Sequence, residues 1–218
     1  MGHDIKPPDK IEIDLDEKED KIYPDSILDQ YFYYHPYLKK RGIDIKTAKF
    51  FGLGYDAASD RITIPIRDHQ GNLVGIQART VKDDNLKYIF LLPCQKSRVL
   101  YALHGIRDFK APIILTEGSI SVIKLWRKGA PAIASLGANI SEYQENLLRY
   151  FDKVYCFFDC DEAGRKGIQA LRESNLRNLY FPTQEYEDID DLSEKDIKQL
   201  IRTSKQQEIT IACEGLDK

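Results

Sequence analysis

A chain of 218 residues holds one domain of ordinary size, or two small lobes sharing an interface, and is long enough to bury a hydrophobic core. With 42% apolar and 31% charged residues, and no apolar run near the roughly 18 that a membrane helix needs, the sequence reads as soluble and globular and excludes a helical membrane protein. The net charge of -3 averages three unlike stretches: residues 1 to 35 (4 basic, 10 acidic, net -6), 36 to 110 (14 basic, 7 acidic, net +7) and 111 to 218 (14 basic, 18 acidic, net -4).

Only the middle stretch suits contact with a polyanion. Residues 1 to 22, with Asp14-Leu15-Asp16-Glu17-Lys18-Glu19-Asp20, combine high charge with few aromatics and read as a loosely held acidic arm. Nothing at the N-terminus has the basic-then-apolar pattern of a signal peptide, so the expected compartment is the cytoplasm. Cys94, Cys156, Cys160 and Cys213 form no C-x-x-C pair and lie far from the four histidines, which argues against a zinc finger or ribbon.

In chain order, Tyr37 to Arg41 and Thr47 to Phe51 read as short helices stopped by Gly42 and Gly52. Arg61 to Arg67 alternates apolar and other residues as a half-buried strand does, with Pro65 marking an edge or a bulge. Asp68 to Asn72 is a turn and Leu73 to Arg79 a second strand, a hairpin expected to bring Arg61, Arg67 and Arg79 into one neighbourhood. From residue 111 the pattern changes to strand-helix alternation, the mark of an α/β fold with a largely parallel sheet. Its strands are Ile113–Thr116, Pro131–Ser135, Val154–Phe158 and Leu179–Phe181. Between them run a helix from Ser119 that stops near Gly129, a helix opened by the Ser141/Gln144 capping box, and a helix through Ile168 and Leu171. Ser193 caps a last helix with Ile197, Leu200 and Ile201 inward.

Binding crevices in open α/β sheets lie at the carboxyl ends of the strands. Three acidic features fall there: Glu117, then Asp159 and Asp161, then Asp188, Asp190 and Asp191. Any one of them alone reads as a turn former or helix cap, but three at successive strand ends repel one another unless a cation intervenes. A hard divalent ion held by a few carboxylates and by substrate phosphates supplies that compensation and can drive phosphoryl transfer.

Glu117-Gly118, Ala134-Ser135-Leu136-Gly137, Asp159-Cys160-Asp161-Glu162-Ala163-Gly164-Arg165 and Asp188-Ile189-Asp190-Asp191-Leu192 resemble, in order and context, the TOPRIM domain of bacterial DnaG-type primases and their phage relatives. Upstream, Tyr37 to Ile43, Arg61 to Asp68, Gly75 to Arg79, Lys87-Tyr88 and Lys96-Ser97-Arg98 are similar to the basic lobe of the primase polymerase core. The resemblance covers about residues 23 to 195 and divides the chain into an arm (1–22), a basic lobe (23–110), a TOPRIM domain (111–192) and a C-terminal helix and tail (193–218). It implies an α/β fold behind an α+β basic lobe, and synthesis of short RNA primers on a single-stranded DNA template from NTPs with Mg²⁺ or Mn²⁺. Under it Glu117 would be a metal ligand or a proton acceptor near the primer 3′ hydroxyl, Asp159 and Asp161 would hold metal, and Asp188 and Asp190 would be an outlying acidic pair. Arg61, Arg79, Lys87 and Lys96 would guide template and nucleotides, with Tyr88 as a stacking surface.

Two features depart from the family. Ser121 stands where the first motif usually has Asp, and the chain lacks the zinc-binding domain, so a fragment, a separate zinc-binding or template-selecting protein, or a different start is expected, alongside a replicative helicase as partner. The rival readings are a TOPRIM nuclease using the same carboxylates and a non-catalytic nucleic-acid-binding protein. A type I topoisomerase is disfavoured, since the chain has no room for its tyrosine-bearing domain.

Overall fold

The computed structural model describes residues 21–84, 86–183, 186, 188, 189 and 191–206. Residues 1–20 of the acidic arm, Asp190 and the tail from residue 207 lie outside these. After a 3-10 turn at Asp25–Tyr31 come helices α1 (Pro36–Lys40) and α2 (Ile45–Phe50) and strands β1 (Gly54–Asp56), β2 (Arg61–Arg67), β3 (Leu73–Thr80) and β4 (Tyr88–Leu92). His35 Nδ1 caps α1 by accepting from the Tyr37 N–H, and Asp44 caps α2 by accepting from Thr47. Gly42 and Gly52 end the two helices at φ of +73° and +64°, where a side chain would be strained.

Strands β1 to β4 form an antiparallel sheet in sequence order. Asp68 holds the β2–β3 turn by accepting from Gln70 N–H and from both the backbone and side-chain N–H of Asn72. Although β2 is interior to the sheet, β1 accompanies it only as far as Thr63, and the register shifts between Ile66 and Arg67. Pro65 therefore sits at a local edge beside a bulge, where a missing N–H is tolerated.

The expected arginine neighbourhood does not form. Arg61 pairs with Thr80 and Arg79 with Ile62, so the two project from opposite faces, while Arg67 lies at the turn end opposite Leu73.

The second sheet is built from β5 (Ile113–Thr116), β6 (Ala132–Ala134), β7 (Val154–Cys156), β8 (Leu179–Phe181) and β9 (Lys205–Gln206), in the order β6-β5-β7-β8-β9. Its first four strands are parallel and β9 closes the edge antiparallel to β8. Helices α3 (Ser119–Arg127), α4 (Glu142–Leu148), α5 (Glu162–Glu173) and α6 (Glu194–Thr203) connect or follow the strands. β7 is shorter than its apolar run: Phe157 and Phe158 stay buried, but beyond Cys156 one more rung to β5, from the Phe157 N–H to the Leu115 carbonyl, precedes the acidic motif.

The two sheets share one apolar core. Ile62, Ile64 and Ile66 of β2 and Leu38 of α1 pack with Ile120 and Ile123 of α3 and with Ala132 and Ala134 of β6. A buried hydrogen bond from Ser119 Oγ to Gln77 Oε1 (2.7 Å) ties β3 to the start of α3, beside Glu117. Asp44, its carboxyl pulled down to about 2 by the Thr47 N–H and by Arg127, joins α2 to the end of α3.

Gln144 completes the capping box of α4 and does more. Its buried Nε2 reaches the carbonyls of Lys96 (3.0 Å), Val99 (2.8 Å) and Ser135 (3.0 Å), fixing the Lys96–Arg98 turn against β6. Gln144→Leu strands those carbonyls in an apolar setting and is expected to cost about 2 to 4 kcal/mol of stability. Urea unfolding with an unchanged m-value checks this; a loss below about 0.5 kcal/mol would show that water replaces the amide.

Candidate active site

Strands β5 and β7 are neighbours, and their ladder continues through the Phe157 N–H to Leu115 carbonyl bond (2.9 Å), so the residues leaving their carboxyl ends meet. Glu117 follows β5 directly and Asp159 follows the Phe157-Phe158 pair. The Asp159 N–H donates to Glu117 Oε1 at 3.2 Å. Asp161 caps α5, its Oδ1 accepting from the Gly164 N–H at 2.8 Å. Both aspartates are exposed and Glu117 is half-buried.

The spacing has a steric cause. A Cβ on Gly164 would lie 2.0 Å from the Asp159 carbonyl oxygen and 2.7 Å from Glu117 Oε1, so only glycine lets the first turn of α5 close on both acidic motifs. Gly164→Ala is expected to push Asp159 away from Glu117 and to abolish catalysis, with a stability loss of about 1 to 3 kcal/mol. Activity at wild-type level in a folded Gly164→Ala protein would show that the close approach is dispensable.

Burial pushes the Glu117 carboxyl up to about 7, and the negative charges of Asp159 and Asp161 add to the rise against the lowering effect of the Asp159 N–H. Three hard oxygen donors thus sit close enough to repel. Among the described residues no three His, Cys, Asp or Glu side chains close into a full ligand set around an ion. The carboxylates fit a divalent ion in the open manner of Mg²⁺, which takes one or two protein carboxylates and leaves positions for water and phosphate.

The last acidic motif is less engaged. Asp188 stands exposed after β8 and its carbonyl accepts from the Asp191 N–H (2.9 Å). Asp191 is committed to Lys124 at 2.5 Å, which holds its carboxyl below the usual range. Sequence reading missed Tyr186, whose hydroxyl donates to the Phe158 carbonyl (2.6 Å) and whose own carbonyl accepts from the Cys160 thiol. These two bonds tie Tyr186 to the strand end and loop that carry Asp159, and no local pattern marks it. Arg165 Nη1 donates to the Cys160 carbonyl (2.9 Å), which keeps a cation beside the aspartates.

Ser121 is half-buried in the first turn of α3, its Oγ 3.8 Å from where a Cβ on Gly118 would lie, so the hydroxyl points back toward the amino end of the helix.

The basic residues divide. Arg61 is only 7% exposed, and its guanidinium donates to the Leu86 and Lys87 carbonyls and pairs with Asp84 at 3.5 Å. It braces the loop before β4. Arg79 is half-buried between the hydroxyls of Tyr37 (3.0 Å) and Tyr88 (2.5 Å) and lies 4.9 Å over the Tyr88 ring. Tyr88 accordingly has one face and its hydroxyl occupied and packs on the core. Lys87 and Lys96 are exposed.

A parallel sheet with acidic motifs at its carboxyl edge is the arrangement of the TOPRIM class of α/β proteins, and residues 114–193 match the family described as Toprim-like. The chain is similar to the DnaG-type primases and carries a Toprim-like region. The DNA primase of Pseudomonas putida is 36% identical over 136 residues, 59% of this chain and 21% of that protein. A structure of the Aquifex aeolicus primase zinc-binding and RNA polymerase domains matches with a TM-score of 0.71 at 25% identity, covering 84% of this chain and 60% of that one. A DnaG primase catalytic domain bound to single-stranded DNA shares the fold, with a TM-score of 0.71 at 22% identity over 84% of this chain and 78% of that one. The chain spans about a fifth of the length of the Pseudomonas putida relative.

Proposed function

We propose that this chain is the catalytic core of a primase, joining nucleotides on a single-stranded DNA template. The observation that carries the reading is the abutment of Glu117 with Asp159 and Asp161 at the ends of two adjacent parallel strands, beside a lobe rich in cations. In the reaction the 3′ oxygen of one nucleotide bonds to the α-phosphorus of the next and pyrophosphate leaves. Glu117, with its carboxyl near neutral range, takes the proton of the attacking hydroxyl. Asp159 and Asp161 would hold Mg²⁺ or Mn²⁺, which when bound neutralises charge on the triphosphate. Asp188 is the outlying carboxylate of the set; Asp190, its partner in the sequence motif, lies outside the described residues.

Single-stranded DNA runs along exposed Lys87 and Lys96, while Arg79, backed by Tyr37 and Tyr88, adds a held charge. Arg61 supports that track by holding the Leu86 and Lys87 carbonyls. The DnaG structure bound to single-stranded DNA supports this choice of partner. No helix among the described residues is long and apolar enough to cross a membrane.

Labelled nucleotides incubated with the chain and single-stranded DNA test the reading. Extension products support it, a shortened template indicates the nuclease, and binding without either indicates the non-catalytic protein. Lys87→Gln with Lys96→Gln is expected to weaken single-strand binding for every sequence and to flatten log Kd against log salt by about 0.7 per lost phosphate contact. An unchanged slope would remove both lysines from the track.

A further inference from the structure

Beside the edge strand β6 lies a cavity of about 580 Å³ between α2, the end of β2, the 101–107 segment and the last turn of α3. It is separate from the carboxylate crevice. Glu117 precedes the first residue of α3 whereas Trp126 is its eighth, so about 10 Å of helix lies between them. The indole N–H donates to the Ala132 carbonyl (2.7 Å), at the amino end of β6.

Its wall is aromatic. Phe50 lies tilted on Trp126 at 5.5 Å, Phe51 meets Trp126 edge-on at 5.8 Å, and Tyr101 stacks on Phe51 at 6.2 Å. Phe50 is 65% exposed, which leaves apolar ring surface open at the rim. A Cβ on Gly105 would lie 3.1 Å from the far edge of the Trp126 ring, so glycine lets the indole rest on the backbone.

The rest of the lining is cationic or neutral. Lys49, Arg67 and Arg107 face the cavity and no carboxylate lines it. Arg67 is turned to Asp25 and the Gly71 carbonyl, while Arg107 is exposed and donates through Nη1 to the His104 carbonyl. His104 lines the same space with a buried Nδ1 that has no hydrogen-bond partner. Burial and then the charges of Arg67 and Arg107 hold its imidazole below its ordinary range, so it is neutral at neutral pH.

Open ring surface selects a planar partner, and the cations select an anion and exclude a quaternary ammonium. The volume falls within the range of small-ligand pockets, about 300 to 1,000 Å³. We propose that this cavity binds a free nucleoside phosphate, its base against Phe50 and Trp126 and its phosphates at Lys49 and Arg107. It is a second nucleotide site, apart from the one that primer synthesis uses.

Trp126 is the sole tryptophan of the sequence, so its fluorescence reports this cavity directly. The full chain in chelator is titrated with ADP and ATP, with inorganic triphosphate and a short oligodeoxynucleotide as comparisons. The mononucleotides are expected to quench saturably and triphosphate, lacking a base, to quench little. Phe50→Ala and Arg107→Gln, both at exposed positions, should each raise Kd about tenfold with unchanged circular dichroism. Asp161→Asn should leave the curve where it is. Absence of saturable quenching up to millimolar nucleotide overturns the proposal. So does a shift of the curve in Asp161→Asn, which would place the ligand in the carboxylate crevice, or tighter quenching by the oligonucleotide, which would make the cavity a strand site.

Discussion

Asp161→Asn is expected to lower primer synthesis by on the order of a thousandfold while leaving the fold in place. Asparagine caps helices as well as aspartate does, so the side-chain oxygen that accepts from the Gly164 N–H is retained and α5 starts where it did. What is lost is one negative charge beside Glu117 and Asp159. Single-strand affinity at matched salt should hardly move, because the phosphate contacts assigned to Lys87 and Lys96 lie on the other lobe. Primer yield, thermal melting and strand binding measured on the same preparation test this together. Wild-type yield from the folded variant would take Asp161 out of the catalytic set, and a collapsed melting curve would show instead that its charge is structural.

The opposite trade is expected at Glu117. Its carboxyl is raised from the ordinary 4.5 to about 7, so folding favours the protonated form. The stabilising contribution is complete below pH about 4.5 and is lost as pH rises through 7. A shift of that size corresponds to roughly 3 kcal/mol, and solvent screening of a half-exposed group reduces it to about 1 to 2 kcal/mol. In chelator, the wild-type protein should therefore lose about 2 to 8 °C of Tm between pH 5 and 8 relative to Glu117→Gln. Glutamine keeps the oxygen that accepts from the Asp159 N–H, so the two proteins differ mainly in charge. A divalent ion should close the gap by neutralising the crevice, and Glu117→Gln should be inactive at every pH. Melting curves that run parallel across this range would show that the crevice is solvated well enough to carry its charges.

Much of this was legible in the chain itself, where a signal is local. The capping box of Ser141 and Gln144, the stops at Gly42, Gly52 and Gly129, and the strands Ile113–Thr116 and Leu179–Phe181 are written in neighbouring residues and appear as read. The sheet-end position of Glu117, Asp159 and Asp161 follows from the same grammar, because a parallel strand leaves its carboxyl end toward one edge. Short elements escaped. β1 and β9 span three and two residues, too few to show a period, and exist because β2 and β8 offer them an edge.

Partnership across the fold was beyond the sequence. Arg61 and Arg79 read alike as exposed cations, yet one is buried against Asp84, Leu86 and Lys87 and the other is clasped by two tyrosines, since strand alternation sends them to opposite faces. Gln144 announces a helix cap and conceals its hold on three distant carbonyls. Tyr186 reaches the acidic loop only after β8 has been laid beside β7, and the Phe50–Trp126 cavity joins residues 76 positions apart. Local sequence determines where the chain turns and which face it buries; which side chains then meet is decided by packing, where burial and charge set the character of the groups brought together.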